Sequence, residues 1–179
     1  MKVLILNFGF GHTSLACAQM LREKLTHTEV ETLQMNRSQV QDLPEGYDTY
    51  VLGCSIHRFR VSKPMRKWLR RNEERLCLKR FYLFMCCGLV DQYEDYLEAN
   101  FSPRLLESAQ MVSLFGGELK PEMEKGWNRF SVFVLRRRIL DAELPNEGEY
   151  TRVIPAIETD AIRRMADHIR NLYRQEDKK

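Results

Sequence analysis

"KVLILNFGFGHTS", residues 2–14, decides how the rest of the chain is read. From Lys2 to Phe8 the run is almost continuously apolar, as expected of a strand buried on both faces of a parallel sheet. Gly9 and Gly11 interrupt it. From Thr13 onward the pattern is helical, with Leu15, Ala16, Ala18, Met20, Leu21 and Leu25 recurring on one side. The segment is therefore strand, glycine turn and helix, with Thr13 as the helix cap. Glycines let a backbone turn tightly and approach a ligand, and the unpaired N–H groups at a helix start favour an anion. Asn7, Thr13 and Ser14 are placed to add side-chain hydrogen bonds. The loop is not a Walker loop, since no lysine follows the second glycine, and Ser14 leaves G-x-G-x-x-G incomplete. A tight turn with no ligand would use the same residues.

The same alternation repeats outward. "TEVETLQM" (28–35) and "TYVLGCS" (49–55) read as the second and third strands. Pro64 then opens a helix capped by Ser62, with Met65, Trp68, Leu69, Leu76 and Leu78 on its apolar side. "RFYLFMCC" (80–87) is the fourth strand, ending at Gly88. Residues 91–108 form a broken helical region that restarts at Ser102-Pro103, and "QMVSLFGGEL" (110–119) is the fifth strand. "ETDAIRRMADHIRNLYRQ" (158–175) closes the chain as a helix capped by Thr159. Strands alternating with helices call for an α/β three-layer sandwich: a five-stranded parallel sheet in order 2-1-3-4-5 with helices on both faces. Ligands of such sheets bind outside the carboxyl ends of strands 1, 3 and 4. Here those ends are "NFGFGHTS", "GCSIHRFRVS" and "MCCGLVDQ".

At 179 residues the chain has the size of one domain, spanning 1–179 with a basic aromatic insertion around 120–145. Its composition, 44% hydrophobic and 30% charged, is that of a globular protein with a real core. No apolar run approaches the roughly 20 residues that span a bilayer. The N-terminus reads as a strand and not as a secretory signal, so a cytoplasmic protein with reduced thiols is expected. The five cysteines show no paired metal-ligand spacing, so no metal is expected. A net charge of +3 is too mild to argue for nucleic acid. The basic residues are nonetheless concentrated in "RKWLRRNEERLCLKR" (66–80) and "RRR" (136–138), which read either as solvated faces or as docking faces for acidic groups.

"GCSIHRFRVSKP" (53–64) offers a second chemistry, because Cys54 and Arg60 fit the Cys-x5-Arg outline of a phosphatase nucleophile loop. Against this, "SIHRF" lacks the glycine that a loop wrapping phosphate with successive N–H groups needs. Cys54 also suits the end of a strand as a small apolar residue. Cys86 and Cys87 are adjacent, point to opposite faces of their strand and cannot easily share a metal or form a relaxed disulfide. His12 and His57 lie on ligand-side loops, whereas His27 and His168 read as ordinary helix-end and surface residues.

With these segments placed, the chain resembles the flavodoxin-domain proteins, and among them the menaquinone-dependent protoporphyrinogen IX dehydrogenases. The resemblance is carried by "KVLILNFGFGHTSLACAQML", "YDTYVLGCSIHRFRVSKPMRKWLRRN", "MVSLFGGELKPEMEKGWNRFSVFVLRR" and "ETDAIRRMADHI". It implies noncovalent FMN, with the phosphate at Phe8, Gly9, Phe10, Gly11, His12 and Thr13. The ring would lie between Ser55, Ile56 and His57 on one side and Cys87, Gly88 and Leu89 on the other. The phosphate loop departs from the family pattern in offering phenylalanines at 8 and 10 where hydroxyl residues are usual.

What the resemblance implies is an FMN-dependent oxidoreductase passing electrons to a quinone or another redox partner. An acidic tetrapyrrole substrate would pair with Arg58, Arg60, Trp127 and Arg136. The stretch holding Trp127 and Arg136 reads equally as a crossover helix covering the sheet or as an interfacial segment giving peripheral membrane contact from the inner face. Two alternatives stand beside this reading: a flavodoxin-fold binding or regulatory module that has lost FMN, and a phosphatase using Cys54.

Overall fold

The computed structural model describes residues 1–9, 12–35, 42–89, 92–117 and 156–176. Five strands, β1 (Lys2–Asn7), β2 (Glu29–Gln34), β3 (Thr49–Ser55), β4 (Phe81–Cys86) and β5 (Met111–Leu114), form one sheet in the order β2-β1-β3-β4-β5. All four pairings are parallel. The helices are α1 (His12–Lys24), α2 (Lys63–Leu76), α3 (Tyr93–Asn100), α4 (Pro103–Ser108) and α5 (Thr159–Glu176). The expected fold is therefore the one found.

The apolar runs of β1, β3 and β4 are continuous because successive side chains enter different cores. Leu4, Leu6, Leu52, Leu83 and Met85 pack with Met65, Trp68 and Leu76 of α2 and with Tyr96 and Leu105 beyond it. Val3, Ile5, Val51, Tyr82 and Phe84 pack on the other face with Cys17 and Leu21 of α1 and Ile162, Met165 and Ile169 of α5. Each such leucine or isoleucine removed from water contributes about 2 kcal/mol of transfer free energy. Cys86 and Cys87 divide between the two cores as their adjacency requires. β2 lies at the edge, and its mixed sequence is matched by partial exposure.

Local signals set several boundaries. Ser62 Oγ accepts the Met65 N–H at 3.2 Å, and Ser102 Oγ accepts the Leu105 N–H at 3.1 Å, each with proline in the first turn that follows. Elsewhere the elements differ from the sequence expectation. α1 begins at His12 and α5 at Thr159, so Thr13 and Thr159 are helical residues and not caps. β5 stops at Leu114, well before 119, because Gly116 adopts a φ of 77° and turns the chain towards Ala156–Glu158. A Cβ on Gly116 would come within 2.0 Å of the Ala156 carbonyl oxygen. His168 is not a simple surface residue: its Nδ1 lies 3.0 Å from the hydroxyl of buried Tyr82, tying α5 to β4.

Candidate functional site

The three loops expected to hold a ligand meet at the carboxyl edge of the sheet. After β1, the chain is locked by a ring of amides. The Gly9 N–H donates to Asn7 Oδ1 (3.2 Å), Asn7 Nδ2 donates to Gln34 Oε1 (2.9 Å), and Gln34 Nε2 donates to the Gly9 carbonyl (2.7 Å). Because the ring begins at a backbone donor and ends at a backbone acceptor, it fixes both side-chain amide orientations. The Phe8 N–H donates to the Gly53 carbonyl at 2.7 Å, and the Phe8 ring packs 5.3 Å from Trp68 in the core. The N–H groups of Phe8 and Gly9 and the Asn7 amide are thus committed inside the protein.

Gly9 also sets how closely the loops approach. A Cβ there would lie 1.8 Å from Ser14 Oγ and 3.2 Å from Ser55 Oγ, so the first loop, the start of α1 and the end of β3 converge on it. Ser14 is fully buried, while His12 is exposed and Thr13 half-buried. Among the described residues of this loop, the capacity to meet an anion rests with the first turn of α1, whose N–H groups have no partner within the helix.

After β3, Ser55 pairs with Cys86, and the Ile56 N–H donates to the Cys86 carbonyl at 2.9 Å. The chain then makes a tight turn. His57 and Arg60 exchange backbone hydrogen bonds of 3.0 and 3.2 Å, with Arg58 (φ 50°) and Phe59 (φ 66°) at its tip. Two left-handed residues in succession are the signature of a type I′ turn, which ordinarily carries asparagine and glycine. For other residues that conformation costs roughly 1–2 kcal/mol each. The turn is held from α3: the Val61 N–H donates to Asn100 Oδ1 (2.9 Å), and Asn100 Nδ2 donates to the Phe59 and Tyr96 carbonyls (2.9 and 2.8 Å). Phe59 sits edge-on to Tyr96 with ring centroids 4.9 Å apart.

After β4, Cys87 is buried, its N–H donates to the Gly116 carbonyl at 3.1 Å, and its thiol points at the Leu89 carbonyl. Burial pushes the Cys87 thiol up to about 11 and the Tyr93 hydroxyl up to about 12. Gly88 and Leu89 are half-buried, as are Ser55 and Ile56 on the neighbouring loop, and His57 beyond them is exposed. β3 and β4 are hydrogen-bonded neighbours, so the two loops leave the carboxyl edge of the sheet side by side.

A flavodoxin-domain family profile matches residues 11–138, the greater part of the chain. The chain belongs to the flavodoxin-domain family. Among solved structures, it is similar to an NAD(P)H:quinone oxidoreductase from Methanothermobacter marburgensis (14% identity, 82% of this chain and 99% of that one, TM-score 0.47). It is likewise similar to an FMN-dependent NADH-azoreductase from Bacillus anthracis (11% identity, 76% and 98%, TM-score 0.45). A third is a flavodoxin of Megasphaera elsdenii (14% identity, 63% and 84%, TM-score 0.45). No curated protein matches the chain significantly.

In this flavodoxin domain the nucleophile reading of Cys54 fails on geometry. Cys54 is an interior strand residue with no exposed surface, and burial drives its thiol far above the ordinary range, away from the thiolate an attack requires. Arg60 does not close a phosphate loop around it, because its guanidinium donates to the Ala99 carbonyl at 2.8 Å. Arg58 and Arg60 are both exposed, Arg58 at the turn tip and Arg60 with one guanidinium donor tied to α3. Asn7 is turned inward instead of towards a ligand. Phe10, Gly11, Trp127, Arg136 and the insertion around 120–145 lie outside the described residues. Among the described residues no helix is long and apolar enough to cross a membrane, and no His, Cys, Asp and Glu group could hold a metal.

Gln34 and Asn100 position two of the three loops, and sequence reasoning missed both. Gln34 is an ordinary polar residue at the end of an edge strand, and Asn100 is an ordinary polar residue at a helix end. Only the partners they meet, 25 and 41 residues away, give them a role.

Proposed function

We propose that the protein is an FMN-dependent oxidoreductase whose flavin lies across the carboxyl edge of the sheet. The observation that carries this reading is that Ser55, Ile56 and His57 on one loop and Gly88 and Leu89 on the next lie on neighbouring strand ends, at least partly accessible, with Gly9 bringing the start of α1 against Ser55. Bound FMN supplies the capacity to take electrons from a reduced substrate and release them to an acceptor. The chain's own residues bind and orient it. Ile56 and Leu89 contribute apolar surface for a flat ring, Ser55 and His57 contribute polar atoms at its edge, and Gly88 lets backbone approach closely. Among the described residues the phosphate end fits at His12, Thr13 and the first turn of α1, since Phe8 and Gly9 have spent their N–H groups.

The narrower reading is a protoporphyrinogen dehydrogenase-like enzyme with a quinone as acceptor. It is supported by the segment resemblance and by Arg58, an exposed cation at the rim suited to a propionate. A second reading, a flavodoxin-fold module without flavin, draws support from the inward commitment of the first loop. Titration of the purified chain with FMN and with riboflavin separates the two. Micromolar FMN binding, tighter than riboflavin binding, supports the first. Absence of binding by either ligand at that concentration overturns it and favours the second.

A further inference from the structure

The basic residues of α2 fall into two groups that the structure treats differently. Arg71 and Arg75, in the second half, pair with Asp42 (2.7 Å) and Glu45 (2.5 Å) from the segment leading into β3. Lys63, Arg66, Lys67 and Arg70 occupy the N-terminal stretch 63–70 at i, i+3, i+4 and i+7, a spacing that lines them along one stripe. Among the described residues these four make no ion pair. Lys63 also stands in the first turn, at the positive end of the helix dipole, where cations are unfavourable and no acidic residue offsets it. Among the described residues, cations further along the same helix are neutralised, whereas these four form no ion pair.

The location gives the charge a use. The stripe starts three residues after the His57–Arg60 turn, at the edge of the sheet where the candidate loops gather. The exposed positions of α2, namely Lys63, Lys67, Arg70, Arg71, Glu74 and Arg75, are all charged, so the helix presents no apolar side chain for insertion into a bilayer. Guanidinium and ammonium groups in a row on a rigid helix match a row of carboxylates. We propose that the 63–70 stretch of α2 is a docking surface for an acidic protein partner, whose carboxylates pair with Lys63, Arg66, Lys67 and Arg70. Such a surface steers a partner to the site edge and weakens with salt. It does not depend on flavin being bound.

The test compares two double variants of equal charge change in the full chain, Lys67→Gln with Arg70→Gln and Arg71→Gln with Arg75→Gln. Binding of labelled poly-L-glutamate is followed by anisotropy over a range of salt concentrations, beside thermal melting. The stripe variant is expected to bind about fivefold more weakly than the parent while melting no lower. The paired-half variant is expected to keep its affinity and melt lower. Equal losses in both, or none in either, would overturn the proposal by showing that bulk charge alone is read. Binding to vesicles of phosphatidylcholine with phosphatidylserine, lost in the stripe variant while polyglutamate fails to bind the parent, would also overturn it, in favour of a lipid surface.

Discussion

The loop after β1 and the loop after β3 sit side by side, close enough that a Cβ on Gly9 would nearly touch Ser55, yet they are built on opposite plans. The first turns its polar groups inward. Asn7, Gln34 and the Gly9 peptide close on one another, Phe8 enters the core, and Ser14 fills the space beneath. The second is pushed outward as a turn with two non-glycine residues in left-handed backbone, and it is tied to α3 by Asn100 and by the bond from Arg60 to the Ala99 carbonyl. A closed loop gains rigidity from its own hydrogen bonds and has few left for a ligand. A strained, externally tied loop keeps its side chains presented, a trait that recurs where ligands are bound.

The contrast can be broken most strongly at Gly9. Gly9→Ala would force a methyl into Ser14 and is expected to cost about 3 kcal/mol in urea unfolding, as overpacked cores do. Adding Ser14→Gly should restore part of the loss, and no restoration would mean that the crowding lies elsewhere. Asn7→Ala opens the amide ring, leaves the buried Gly9 N–H without its acceptor, and should cost about 2 kcal/mol. If the amide ring added nothing to the loop's stability, the same unfolding experiment would show almost no change.

Alkaline pH probes the packing beneath the loop after β4. Cys87 is raised from its ordinary 9.0 to about 11, and Tyr93 from 10.0 to about 12, mainly by burial. Both are neutral when protonated, and the fold favours that form. Their contributions are therefore complete below about pH 9 and fall away as pH rises to about 12. Urea midpoints should decline across that window, with tyrosinate absorbance rising late within it. A flat midpoint would place these groups in water. The smallest effect is expected at the turn tip, where Arg58→Asn places a residue tolerant of left-handed backbone and should stabilise by about 0.5 kcal/mol. Melting temperature measures it, and a decrease would show that Arg58 has contacts that compensate its strain.

The sheet was legible because hydrophobic runs buried on two faces leave a local imprint. "KVLILNF" and "TYVLGCS" read as interior strands from composition alone, and Ser62-x-Pro64 and Ser102-Pro103 mark helix starts by capping chemistry confined to a few residues. The meeting of three loops at one edge followed from the alternation of strands and helices. The roles of individual side chains did not follow, because hydrogen bonds across distant segments leave no periodic trace. Asn7 had the residue type expected of a ligand contact and was instead satisfied by Gln34, 27 positions away. Cys54 and Arg60 had the spacing of a nucleophile loop, but burial took the thiol out of reach and Ala99 took the guanidinium. On α2, the sequence supplied a dense basic stretch. Which of its cations are paired was decided only when the fold brought Asp42 and Glu45 beside Arg71 and Arg75. The sequence by itself determined the layers and the edge where chemistry would sit, because burial and capping act locally. Tertiary structure alone decided which polar groups face inward and which remain to meet a partner, because desolvation and pairing depend on what the chain brings near.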